Sequence, residues 1–201
     1  MMHPFIGERF GEANKNSILF IGESHYLPEN SVLHTDAQKW YGSNHLALNE
    51  EEIEWISTAT IYKEAMACNF SNKAHSIWGN SLWILNDAGP KHPDYRTASD
   101  HIATCNFFLR PAITSESLIV EDIDSETANL AFNYYMDNLH PTAVVFLSRK
   151  AFGCLQKLPK TPYACTPHPG CSWWNRSSPS YGGLKGREIL SEFVRKLDWT
   201  H

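Results

Sequence analysis

Ile18, Leu19, Phe20 and Ile21 form an apolar run without polar alternation, closed by Gly22 and followed at once by Glu23, Ser24, His25 and Tyr26. Such a run fits a strand covered on both faces, as in parallel sheets. The pattern predicts a strand over about 17 to 22, and open α/β sheets bind ligands just outside the carboxyl ends of their strands. Residues 1 to 16 read as a polar lead-in without an element of their own. A second strand is predicted from His101 to Leu109, closed by Arg110-Pro111, and a third over Ala143 to Leu147. A short fourth, Tyr163 to Thr166, feeds Pro167-His168-Pro169-Gly170.

Helical spacing fills the intervals. Ile53, Ile56, Ile61, Ala65 and Met66 predict one amphipathic helix over 50–69, with Glu50, Glu51 and Glu52 complementing its dipole in the first turn. Further helices are predicted over 75–88, over 125–138 with Ser125 as cap, over 148–158 and over 185–197. Pro28, Asn30, Gly42, Ser43 and Asn44 make 27–49 a long loop arching over the first strand's end, and long loops in compact domains are usually functional. Strands alternating with helices imply right-handed crossovers and a parallel sheet. The expected fold is therefore an α/β three-layer sandwich with a central four-stranded parallel sheet, one domain over residues 1–201.

Composition narrows the partners. With 201 residues, 42% of them hydrophobic and 19% charged, the chain is long enough to bury one substantial core. Its net charge of −5 argues against a protein that coats nucleic acid indiscriminately. The charge is unevenly spread: residues 1–139 hold 8 Lys and Arg against 19 Asp and Glu, whereas 140–201 hold 9 against 3. A phosphate-facing edge built from the last third is one reading, and a solvated surface the other. Five Cys, an odd number without framework spacing, read as reduced thiols. The N-terminus carries neither a basic leader nor a long apolar segment, so a cytoplasmic protein is expected, without membrane contact and monomeric.

Each predicted strand ends in polar chemistry: Glu23 to Tyr26, Asn106, Ser148-Arg149-Lys150, and His168. In that order these motifs resemble the uracil-DNA glycosylase superfamily, nearest to the branch whose first motif reads Gly-Glu-x-Pro-Gly. The resemblance spans about Ile18 to Arg176. It implies that Gly22-Glu23-Ser24-His25-Tyr26 forms the loop that supports attack on the sugar, with Glu23 activating water or stabilising an oxocarbenium-like centre. It implies further that Trp40 or Tyr41 stacks on a flipped base, that Asn106 reads the base edge, and that His168 stabilises the departing base. Ser148, Arg149, Lys150, Trp173, Trp174 and Arg176 are the implied nucleic-acid contacts. The expected partner is DNA, single- or double-stranded, or another nucleobase-containing ligand. His25 stands where the family keeps a proline and Gly170 where it keeps a serine. The branch's iron-sulfur cluster is not expected, because no Cys precedes residue 68.

The chemistry required for base removal agrees with this cast. The nucleotide must be flipped out, its Watson-Crick edge read and the charge on the leaving base stabilised. An amide that both donates and accepts suits a carbonyl beside an N–H. Local rivals exist for every residue: a capping role for Glu23, a turn role for Asn106, core packing for Trp173 and Trp174. Cys165-x-x-His168-x-x-Cys171 has metal-like spacing but no partner ligand, so no metal or other cofactor is expected. His34, His45, His75, His92 and His140 show no ligand spacing.

Two other functions remain open at this level. Ile-Leu-Phe-Ile-Gly-Glu-Ser24 also resembles the first block of SGNH hydrolases, which makes Ser24 a nucleophile and His168 its base. That family places an Asp three residues before the His, and here the position is Cys165. The second is a non-catalytic nucleobase or nucleic-acid binding module on the same fold.

Overall fold

The computed structural model describes residues 2–12, 16–43, 47–91, 94–114 and 116–197; His45 and His92 lie outside them. In chain order the elements are β1 (Phe5–Ile6), β2 (Ile18–Gly22), α1 (Ala37–Gly42), α2 (Glu50–Trp55), α3 (Thr58–Ala67) and α4 (Ser76–Ala88), then β3 (Ile102–Asn106), α5 (Asp122–Leu139), β4 (Ala143–Phe146), α6 (Arg149–Gly153), β5 (Tyr163–Cys165) and α7 (Gly186–Lys196). The protein is α/β. Its sheet has five strands in the order β1-β3-β2-β4-β5.

β2, β3, β4 and β5 run parallel, while β1 joins the β3 edge antiparallel through Phe5 opposite Thr104 and Ile6 opposite Ala103. The expectation of a four-stranded, wholly parallel sheet is thus corrected to a mixed sheet. The strand in the presumed lead-in is only two residues long, too short to carry a period-2 signal.

The absence of alternation in β2 has a direct physical cause. Ile18 and Phe20 face a cluster formed with Tyr62 and Ala65 of α3, Leu82 and Leu85 of α4, and Leu190 and Val194 of α7. Leu19 and Ile21 face the opposite cluster, with Ala128 and Phe132 of α5 and Ala151 of α6. Alternate side chains of one strand therefore build two cores, and both must be apolar. Each such large side chain stabilises the fold by about 1.5–3 kcal/mol of burial.

Several element boundaries moved. The helix expected over 50–69 is two helices: Ile56 is fully buried at the break, and Ser57 caps α3 by accepting the Thr60 N–H. The capping box of α2 pairs Asn49 with Glu52. α5 begins at Asp122 and not at Ser125, because Asp124 Oδ2 turns back to accept the Glu121 N–H at 2.9 Å. It ends where His140 takes a left-handed conformation (φ 47°), just before Pro141. α6 spans five residues where eleven were expected, and α1 lies within the long loop. β3 stops at Asn106; Phe107 and Phe108 continue into the core without being strand.

Candidate active site

The site is assembled where the four parallel strands end. β2 stops at Gly22, paired in register with Asn106 of β3. Beyond the strands the pairing continues through backbone alone: Phe107 N–H donates to Gly22 O, Phe108 N–H to Glu23 O and Ala112 N–H to His25 O, at 2.8–3.1 Å. The loop carrying Glu23 is therefore zipped to the segment after β3. A β-carbon on Gly22 would fall 2.2 Å from Asn106 Oδ1, so a side chain there would push the Asn106 amide aside.

Glu23 is oriented from two sides. Ser117 Oγ donates to Oε1 at 2.7 Å and Ser148 Oγ to Oε2 at 2.8 Å. Ser148 also caps α6 by accepting the Ala151 N–H, so its hydroxyl proton has one direction left, toward Glu23. Lys150 Nζ lies 3.6 Å from Oε1, donates to Leu118 O at 2.7 Å and contacts Ser117 Oγ. Two oxygens carry about four lone-pair sites, so the carboxylate retains acceptor capacity on its open side.

His168 lies past β5 at the same carboxyl edge. The Gly170 backbone N–H points at its Nδ1 from 3.0 Å. A backbone amide only donates, so Nδ1 accepts and the neutral ring carries its proton on Nε2. The surrounding protein desolvates the ring and lowers its pKa, with Glu23 pulling partly the other way. His168 thus presents a neutral N–H donor beside a carboxylate. The amide of Asn106, half-buried, makes no hydrogen bond among the described residues and remains available to a ligand.

Other expected site residues have structural duties instead. His25 does not face the loop mouth: it is 7% exposed, its Nε2 is 2.9 Å from Thr58 Oγ1 at the start of α3, and burial lowers its pKa to about 4. Trp40 Nε1 donates to Leu109 O at 3.0 Å, and Tyr41 Oη donates to Asp124 at 2.9 Å. Both bonds tie α1 down through the ring edges, and both side chains are half-buried. Burial and the neighbouring Asp124 raise the Tyr41 pKa, keeping its proton in that bond. Trp174 belongs to the core on the α4 and α7 side.

The remaining candidates are distributed along the rim. Ser24 is half-buried and Tyr26 is 43% exposed. Arg149 donates to Ser180 O at 3.2 Å and lies over the Tyr181 ring at 5.1 Å. Trp173 and Arg176 are exposed. Lys150, an implied nucleic-acid contact, lies 3.6 Å from Glu23 Oε1 and contacts Ser117 Oγ. No group of three potential metal ligands occurs among the described residues, and the five Cys are free thiols. No helix among those residues is long and apolar enough to cross a membrane.

Sequence reasoning missed Ser117 and Asp124. Ser117 lies in an irregular segment with no motif around it. Asp124 is the buried partner of Arg110, which donates Nε to Oδ1 at 2.8 Å and Nη2 to Oδ2 at 2.5 Å. An acid near a helix start reads as dipole complement, and only the bidentate geometry separates the two roles. No family model matches the chain, and no curated protein matches it either.

Proposed function

We propose that the protein hydrolyses the N-glycosidic bond of a deaminated or damaged base such as uracil. The observation carrying this reading is the His168 ring, whose Nδ1 accepts from Gly170 and whose Nε2–H is a neutral donor on the carboxyl edge that also bears Glu23 and Asn106. Bond cleavage leaves charge on the departing base, which a preorganised donor stabilises, and His168 is solvent-exposed, so its Nε2–H is within reach of a bound ligand. In this reading Glu23 supports water or the cationic sugar, His168 Nε2–H meets a base oxygen, and the free Asn106 amide matches the base edge. Arg149, Trp173 and Arg176 are the groups left exposed for a nucleic-acid backbone or neighbouring bases.

The same ring disfavours the serine-esterase reading. A triad His donates Nδ1–H to an orienting carboxylate, whereas here Nδ1 is the acceptor. The test is release of uracil, hypoxanthine or xanthine from oligonucleotides, single- and double-stranded. Release abolished in His168→Ala is expected. Failure to release any of these bases over a broad range of pH and salt would overturn the proposal.

A further inference from the structure

The loop after β5 that carries His168, Pro169 and Gly170 is held from a direction unrelated to its own strand. α4 approaches it with two residues one turn apart. Asn80 Nδ2 donates to Pro169 O at 2.9 Å, holding the Pro169–Gly170 peptide whose N–H meets His168 Nδ1. One turn earlier, Ser76 Oγ stands 2.9 Å from where a β-carbon on Gly170 would sit, and His168 Cε1 and Nδ1 stand 3.2 Å from the same point. The hydroxyl and the imidazole therefore flank one small gap, which exists only because residue 170 lacks a side chain. Spacing of i and i+4 puts Ser76 and Asn80 on one helix face, so they act as a single edge.

We propose that this Ser76–Asn80 edge is the positioning device for His168, holding the 168–170 loop where the Gly170 N–H can lock the ring with its proton on Nε2. The assignment rests on the role proposed for His168, but it concerns a geometry that is measured without any substrate. Neither residue touches the reacting atoms. Their effect passes through the Pro169 carbonyl and the space at Gly170, and a rigid support of this kind decides whether a catalytic group keeps its productive geometry.

The experiment is long-range proton–nitrogen NMR on the full-length protein with labelled histidine, alongside base-release kinetics. In the native chain His168 should show a single Nε2–H tautomer and titrate below pH 6.5. Asn80→Ala, and the isosteric Asn80→Asp which removes the donor, should each give a mixed tautomer and a titration midpoint moved up toward 6.5. The release rate should fall roughly 10- to 100-fold in kcat with KM little changed. Gly170→Ser should disturb the same signals. An unchanged His168 tautomer and midpoint in both Asn80 variants would overturn the proposal, as would an undisturbed Gly170→Ser protein. If the tautomer shifts as expected while no base is ever released, the positioning edge stands and the glycosylase reading falls.

Discussion

Two carboxylate–cation pairs lie close to the ends of adjacent strands, and they have opposite fates. Asp124 and Arg110 are 0% and 6% exposed and meet bidentately, whereas Glu23 and Lys150 are 25% and 33% exposed and meet at 3.6 Å. Around Asp124 every acceptor direction is used: Arg110, the Glu121 N–H and Tyr41 all donate to it. Arg110 gives two further N–H groups to His34 O and Ile119 O, so four of its five donors are placed. Burial pushes the Asp124 carboxyl up, but the hydrogen bonds outweigh it and hold the carboxyl below its ordinary range. The first pair is a finished structural joint that ties α1, β3 and α5 together. Glu23 is steered by two hydroxyls and left open on one side, which is what a working carboxylate requires.

The largest effect expected from breaking this contrast is on stability. Arg110→Met leaves Asp124 buried without its counter-charge and should lower unfolding free energy by about 3–5 kcal/mol, read from urea midpoints. A loss under about 1 kcal/mol would make the two pairs equivalent. Acid should act next. His25 has a folded-state pKa of about 4 against an ordinary 6.5, so the unfolded chain binds its proton first as pH falls. Stability present above pH 6.5 is then lost progressively down to about pH 4, by roughly 3 kcal/mol from this group. His34, also lowered by burial, adds in the same direction. His25→Gln should flatten the slope of urea midpoint against pH in that window, and a flat slope in the unaltered protein would contradict the buried neutral ring.

At Glu23 the expected effect is on rate. On the proposed glycosylase function, Glu23→Gln should slow base release about a hundredfold, equivalent to about 2.7 kcal/mol, while the thermal midpoint stays nearly unchanged. A Glu23→Gln protein of full activity would remove the carboxylate from the mechanism. The smallest change is assigned to Lys150→Met. A partly exposed pair is worth no more than about 1 kcal/mol, so unfolding should shift by less than that. Loss comparable to Arg110→Met would show that the open pair also holds the fold.

The apolar runs of β2 and β4 were legible because burial on both faces leaves a period-free hydrophobic signature. Gly22 was legible as a strand exit for the same reason: where apolar sequence stops, the sheet's carboxyl edge begins. The exit at Asn106 was not, because Phe107, Phe108 and Leu109 carry the apolar run past it. Residues whose meaning depends on a distant partner were not. Trp174 and Trp173 are neighbours in sequence, yet one is core and the other rim, a choice made by the turn at Ser172–Trp174 that carries them. His25 looks like part of the polar exit until Thr58 of α3 is seen to meet it.

By itself, then, the order of residues determines the α/β alternation, the position of β2 and the set of polar side chains at its end, because local burial and periodicity act within a few residues. Only the tertiary structure decides which of those side chains stay available. Lys150 turns to Glu23, Tyr41 to Asp124 and His25 to Thr58, across 33 to 127 positions of chain, while Asn106 and the Nε2 of His168 are left open. A hydrogen bond satisfies whichever group lies within about 3 Å, and no sequence pattern records that distance.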